Sequence, residues 1–349
     1  MTTEISINGR LIGIDHPPYI IAELSANHNG DITRALRIIE EAKKAGADAV
    51  KLQTYTPDTI TLDSNTDEFQ IHGGLWDGRS LYELYREAHM PWEWHKPLFD
   101  RAKELGITIF SSPFDFSAVD LLESLDVPAY KIASFELVDL PLIKRVAKTG
   151  KPMIMSTGMA NEEEIEQAIA TARDNGCEAL VILHCVSGYP APAGEYNIRT
   201  IADISQRFSV LSGLSDHTID NATAVASVAL GACVIEKHVT LDRRGGGADD
   251  SFSIEPAELA QLCKDAKTAW SALGHVNYQR TEAEEDNVKF RRSLYVVKDI
   301  AMGESLTPDN VKSIRPGFGL APKHYEDILG RKAKWAIPSG TALAFTLLE

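Results

Sequence analysis

The chain has 349 residues, 44% of them hydrophobic and 24% charged, a globular composition long enough for one large core and a smaller one. A formal net charge of −15 argues against nucleic acid and anionic membranes as partners, yet leaves room for a small anion held by local Lys and Arg. No apolar run reaches membrane-spanning length, Met1–Arg10 has no signal-peptide core, and Cys177, Cys185, Cys233 and Cys263 form no Cys-x-x-Cys pair, so a reduced, cytoplasmic chain is expected.

Apolar strand-like runs alternate with amphipathic stretches along the first three quarters of the chain. The strands are expected at Tyr19–Leu24, Ala49–Gln53, Thr108–Ser111, Ala129–Ile132, Pro152–Ser156, Ala179–His184, Val210–Leu214 and Cys233–His238. Helices are expected at Ile32–Ala45, Trp94–Leu105, Phe116–Leu125, Leu140–Thr149, Glu162–Asn175, Asn221–Leu230 and Pro256–Leu273. Such alternation implies a parallel sheet with right-handed crossovers, and the count and length predict a closed (β/α)8 TIM barrel over residues 1–274. The rival, an open doubly wound sheet, would carry a Gly-rich turn after its first strand. Here that turn is the polar Glu23-Leu-Ser-Ala-Asn-His-Asn-Gly30.

One insertion, Tyr55–Pro91, breaks the rhythm and is long enough to shape a substrate pocket. Past Gly274, the polar residues 275–289 read as a linker. Residues 290–349 then predict a small β-rich domain: strand Ser293–Val297, a turn at Ala301–Glu304, a short helix Pro308–Val311, a helix Pro322–Ile328, strand-like Lys332–Ala336, a turn at Pro338–Gly340 and a last strand. So few residues bury little surface, so this domain is expected to lean on the barrel or on another subunit.

In such a barrel the strand C-termini and the loops after them carry the chemistry. His217, in Gly213-Leu-Ser-Asp-His-Thr218, and His238, in Glu236-Lys-His238, each follow an apolar run. On neighbouring strands their imidazoles would converge at one rim and suit a divalent first-row metal. Lys51 and Lys131 each end an apolar strand, where a buried ammonium needs an anion to stay charged. Ser134, Ser156 and Ser215 add small donors suited to phosphate oxygens. These residue types predict a metal-assisted enzyme acting on a phosphate or carboxylate substrate: an aldol-type synthase, an isomerase or a hydrolase.

The same segments resemble the sialic acid synthase family over nearly the whole chain. The resemblance rests on Ala22-Glu-Leu-Ser-Ala-Asn-His-Asn-Gly30, Val50-Lys-Leu-Gln-Thr54, Phe110-Ser-Ser-Pro-Phe114, Ala129-Tyr-Lys-Ile-Ala-Ser134, Ser156-Thr-Gly-Met159, Gly213-Leu-Ser-Asp-His-Thr218 and Ile235-Glu-Lys-His238. The tail with Ile314-Arg-Pro-Gly317 looks like the antifreeze-like (SAF) domain of that family. Gly73-Gly-Leu-Trp-Asp77, Leu81-Tyr-Glu-Leu-Tyr85 and Trp92-Glu-Trp-His95 most resemble its pseudaminic acid branch, with the N-acetylneuraminate and legionaminate branches as alternatives.

The resemblance implies a transferase that condenses phosphoenolpyruvate with an open-chain N-acetylated amino sugar, releasing phosphate by C–O cleavage. It implies that His217 and His238 hold Mn²⁺, with Mg²⁺ or Co²⁺ as other choices. Lys51, Lys131, Ser134, Ser156, Ser187 and Ser215 would bind phosphate and carboxylate, though Ser187 replaces the Asn of the neuraminate branch. Glu23 would position water or transfer a proton. Gln53, Glu136, Tyr189 and Asp249 (with Asp250 adjacent) would orient the sugar. A homodimer is implied in which the SAF domain caps the partner's barrel and Arg315 reaches the sugar in trans. Leu75, Trp76 and Leu81 of the insertion would suit a sugar methyl, as in 2,4-diacetamido-2,4,6-trideoxy-L-altrose. Outside the resemblance, the other readings are a metal-dependent aldolase or isomerase that does not use phosphoenolpyruvate, and a carbohydrate-binding protein without catalysis.

Overall fold

Short, fully buried strands and amphipathic helices of matching length leave this sequence one way to cover both faces of its sheet, and the sheet closes on itself. The computed structural model describes residues 4–349, and the chain divides into two units, Met1–Gly274 and His275–Glu349. In the first unit an antiparallel hairpin, β1 (Glu4–Ile7) and β2 (Arg10–Gly13), precedes the barrel. The barrel strands are β3 (Tyr19–Glu23), β4 (Ala49–Thr54), β5 (Thr108–Pro113), β6 (Tyr130–Ile132), β7 (Met153–Ser156), β8 (Leu180–Cys185), β9 (Leu211–Asp216) and β10 (Val234–His238). All neighbours are parallel, and β10 pairs with both β9 and β3 to close the ring.

Alternation along each strand decides what faces inward. Tyr19, Ile21, Phe110, Ile154, Val181, Leu183 and Val234 form one apolar cluster, the inner core. Residues one step out of phase, such as Ile20, Val50, Leu52, Ile109 and Ile235, pack outward on the helices. Toward the strand C-termini the inward phase turns polar: Glu23, Lys51, Ser112, Lys131, Ser156, Ser215 and Glu236 are all buried there. The lower half of the barrel is therefore oil and the upper half is a polar basin.

Local signals set the helices. Ile32–Ala45 starts on Asp31, whose carboxylate accepts the Thr33 amide, and stops at Gly46, whose φ of 91° ends the turn. Its buried Ala35, Ile38, Ile39 and Ala42 follow the helical repeat. Each large side chain so buried stabilises the fold by roughly 1.5–3 kcal/mol before entropy is counted. Glu162–Asp174 begins in a capping box between Asn161 and Glu164.

The elements depart from expectation in four places. The hairpin β1–β2 was not expected; its Ile5, Ile7 and Ile12 join the inner core and plug the N-terminal end of the barrel. A helix at Thr200–Phe208 links β8 to β9. The insertion carries helices Pro57–Ile60 and Leu81–Ala88. In the second unit, the stretch expected as helix Pro308–Val311 turns and enters β12 (Val311–Ile314), which pairs antiparallel with β11 (Ser293–Val296).

The rest of the second unit also differs from the sequence reading. Its final stretch closes with a 3-10 turn, Phe345–Leu347, and isolated bridges instead of a last strand. Residues 275–289 include a short helix, Glu282–Glu285. This unit has a core of its own around Leu294, Val296, Ile300, Leu306, Val311 and Ile337. Among the described residues no helix is long and apolar enough to cross a membrane.

Candidate active site

Glu236 is the electrostatic centre of the polar basin. Its carboxylate lies 2.9 Å from Lys51 Nζ and 3.1 Å from Lys131 Nζ, and all three side chains are buried. Lys51 also approaches Glu23 at 3.3 Å and Ser112 Oγ at 3.4 Å. The compensating anion that the two lysines require is thus partly internal. The two ammonium groups diverge: burial lowers the pKa of each, but Lys51, shared by Glu23 and Glu236, ends raised, while Lys131, with Glu236 alone, ends lowered. Glu23 moves the opposite way from Glu236. Burial raises it, Lys51 opposes that, and the Glu236 carboxylate adds to the rise. With Glu23 pushed up to about 7 beside two lysines and the Glu236 carboxylate, the basin suits an anionic ligand.

A second group collects beside it. The Gly158 amide donates to Ser134 Oγ at 3.1 Å. A Cβ on Gly158 would stand 2.1 Å from Ser187 Oγ and 2.8 Å from Ser134 Oγ, so only glycine lets both hydroxyls approach this turn. Ser156 Oγ and Ser187 Oγ are buried without hydrogen-bond partners. Unsatisfied buried hydroxyls around a glycine turn are what a ligand oxygen would complete. Ser215 is buried on β9, paired in register with Glu236 on β10. Glu136, at the end of the turn Ser134–Glu136, has a buried, unpartnered Oε2, and burial pushes its pKa up to about 7.

The imidazoles converge at the same mouth, with ring centroids 5.3 Å apart. His217 Nδ1 donates to the Val186 carbonyl at 2.8 Å, which leaves Nε2 with its lone pair. His238 Nδ1 is buried without a partner, and burial followed by the neighbouring His217 lowers its pKa well below the usual value. The two rings differ in charge preference: burial lowers the His217 pKa, but the neighbouring Cys185 outweighs it and the group ends raised, while His238 is lowered; side by side they could still offer two ring nitrogens to a metal. Among the described residues no group of three or more His, Cys, Asp or Glu is arranged to hold an ion, so water or substrate oxygens would complete its shell.

Tyr189 lies over both rings, with its centroid 4.4 Å from His217 and 6.3 Å from His238. Phe252 and Trp76 pack against Tyr189 at 5.1 and 5.9 Å. The Trp76 indole donates to the Ala248 carbonyl at 3.1 Å, tying the insertion to the loop after β10. Of the apolar residues expected to meet a sugar methyl, Trp76 alone is seen against these rings. Leu75 is exposed, Leu81 is half-buried on its helix, and Phe252 takes the place beside Tyr189.

Gln53 Nε2 donates to Glu23 Oε1 at 3.0 Å and to Ser25 Oγ at 3.2 Å. Ser25 donates in turn to Asp249, whose carboxylate is 3.9 Å from His238 Nδ1. Asp250 points elsewhere: Asn29, Arg34, Thr240 and the Gly247 amide occupy it. One basin therefore gathers Glu23, Lys51, Gln53, Lys131, Ser134, Ser156, Ser187, Tyr189, Ser215, His217, His238 and Asp249. Arg315 is exposed in the second unit.

Glu236 has no expected role on sequence grounds, where the motif Glu236-Lys-His238 points only to His238. Its position two residues before His238, in the inward phase, was the available signal. Ser25 and Phe252 left no comparable mark, because their importance arises from loop geometry.

The chain is 46% identical over 329 residues to "Pseudaminic acid synthase" of Campylobacter jejuni subsp. jejuni serotype O:2, covering 94% of this chain and 96% of that protein. It is 44% identical over 334 residues to "Pseudaminic acid synthase" of Helicobacter pylori, covering 95% and 98%. A crystal structure of N-acetylneuraminic acid (sialic acid) synthetase from Leptospira borgpetersenii serovar Hardjo-bovis, in complex with citrate, superposes with a TM-score of 0.73 at 31% identity, covering 82% of this chain and 95% of that one. The model of the NeuB family matches residues 38–278 and that of the SAF domain residues 291–349. With its closed barrel and converging polar strand ends, the chain belongs to the NeuB family, the sialic acid synthases, and carries a SAF domain after its barrel.

Proposed function

We propose that the protein is a pseudaminic acid synthase. It condenses phosphoenolpyruvate with 2,4-diacetamido-2,4,6-trideoxy-L-altrose and water to give pseudaminic acid and inorganic phosphate. The observation that carries this reading is near full-length similarity to relatives named for that activity. The basin supplies the parts the reaction needs.

Lys51 and Lys131, with Ser134, Ser156, Ser187 and Ser215, hold the phosphate and carboxylate of phosphoenolpyruvate. Bringing that anion in offsets the cost of burying Lys51 and Lys131 around the single Glu236 carboxylate. Gln53, Glu136, Tyr189 and Asp249 orient the open-chain sugar so that its aldehyde carbon faces C3 of phosphoenolpyruvate. His217 and His238 would hold the divalent ion, Mn²⁺ first, which when bound polarises the aldehyde as a Lewis acid. As the C3–aldehyde carbon bond forms, positive charge develops at C2, and water adds there. Glu23 lies beside Lys51 and Gln53 and takes the proton that this water loses as it adds. The C–O bond to phosphate then breaks, and the donors already on the phosphate stabilise the leaving anion.

The four cysteines are free thiols, as suits a reducing cytoplasm. The working unit is a homodimer in which the SAF domain of one subunit caps the barrel of the other, bringing Arg315 to the sugar's acyl group. The function is tested by phosphate release. Release that requires both phosphoenolpyruvate and the amino sugar, with a product of the mass of pseudaminic acid, is expected. Turnover of the sugar without phosphoenolpyruvate would point instead to a plain aldolase or isomerase.

A further inference from the structure

Between the sugar-orienting residues lies a side chain that the reaction scheme does not use. Ser25 follows Glu23 by two positions, in the turn after β3, and is 2% exposed. Its hydroxyl joins two long-range partners, accepting from Gln53 Nε2 at 3.2 Å and donating to Asp249, more than two hundred positions away in sequence. Its backbone has φ of 49°, in the left-handed region where a side chain costs conformational energy and glycine does not. Strain of this kind persists where the surroundings over-determine it, and it collects at sites with work to do.

The Asp249 carboxylate takes its hydrogen bonds from Ser25 and from the adjoining Ala26 amide, both in the turn after β3. It sits on the loop after β10, just past Gly245, Gly246 and Gly247. Its neighbour Asp250 anchors that loop from the other side, through Arg34 and Asn29. The 3.9 Å between Asp249 and His238 is too long for a hydrogen bond, so His238 does not fix the carboxylate. The Gln53 amide nitrogen donates both its hydrogens, one to Glu23 and one to Ser25.

We infer that Ser25 is a positioning residue: its hydroxyl sets Gln53 and Asp249 in the orientation that receives the sugar, and the strained turn is retained for that purpose. This deepens the proposed function and rests on it, since it assigns those two side chains to the amino sugar.

The test compares Ser25→Ala with Ser25→Gly by steady-state kinetics on both substrates and by thermal melting. Both variants lose the hydroxyl, but glycine also relieves the backbone. Each is expected to raise the sugar KM by about tenfold and to leave the phosphoenolpyruvate KM within about twofold, the scale of one lost hydrogen bond to a charged group. Ser25→Gly should melt above Ser25→Ala. A serine that served stability alone would move the melting temperature and leave the sugar KM unchanged in Ser25→Gly; that result, or an equal rise in both KM values, overturns the inference. Wild-type protein identifies a failure of the functional reading separately. If it condenses a different amino sugar, the variants are compared on that sugar. If it condenses none, the assignment of Gln53 and Asp249 to a sugar fails and the Ser25 role falls with it.

Discussion

At the scale of residues, a single carboxylate, Glu236, holds two lysines from strands far apart in sequence. Lys51 and Lys131 were legible as buried residues of the candidate site because a lysine ending an apolar strand demands compensation. Their partner was not, because its value lies in contacts across the barrel: Lys131 and Glu236 are 105 positions apart. The histidines were legible for a similar reason, each following an apolar run at a strand end. His217 offers a free Nε2 and His238 an unpartnered Nδ1. His217→Ala and His238→Ala should each lower kcat/KM by about a thousandfold or more, the scale of losing Lewis-acid assistance. Both should also abolish Mn²⁺ binding in a calorimetric titration while leaving the far-ultraviolet circular dichroism unchanged. Retention of Mn²⁺ binding in either variant would contradict the assignment.

At the scale of elements, the eight barrel strands were readable because apolar runs of strand length alternate with helical periodicity. The helix Thr200–Phe208 carries no start signal in the sequence, because Arg199 stands at its N-cap and makes no side-chain cap. The hairpin β1–β2 had a signal, Asn8-Gly9, the pair that favours a tight turn with positive φ; both residues adopt it, at 48° and 80°. Its role as a plug depends on tertiary packing and could not be read locally. Because Ile7 is fully buried at the end of the barrel opposite the basin, Ile7→Ala should cost about 2–5 kcal/mol of stability. Denaturant unfolding would measure that loss, and kcat/KM at a temperature where the variant is folded should stay at the wild-type value. A matched loss of activity would mean that the plug and the basin are coupled.

At the scale of the whole molecule, net charge argues against nucleic acid and anionic membranes more readily than it identifies a substrate. The acidic surface coexists with a basin whose lysines call for an anion. The family became legible through several motifs in fixed order, not through any single one. The trans role proposed for Arg315 belongs to this scale. Arg315→Ala should raise the sugar KM severalfold and leave that of phosphoenolpyruvate unchanged, and equal effects on both would remove the capping arrangement.

The choice of sugar carries the central claim. Trp76, Tyr189 and Phe252 build an apolar wall beside the histidines, which favours a methyl where sialic acid precursors carry a hydroxyl. The most direct measurement is kcat/KM for 2,4-diacetamido-2,4,6-trideoxy-L-altrose against N-acetylmannosamine, each with saturating phosphoenolpyruvate and Mn²⁺ and with the product mass recorded. A ratio of about a hundredfold or more in favour of the trideoxy sugar is predicted; a ratio favouring N-acetylmannosamine would contradict it.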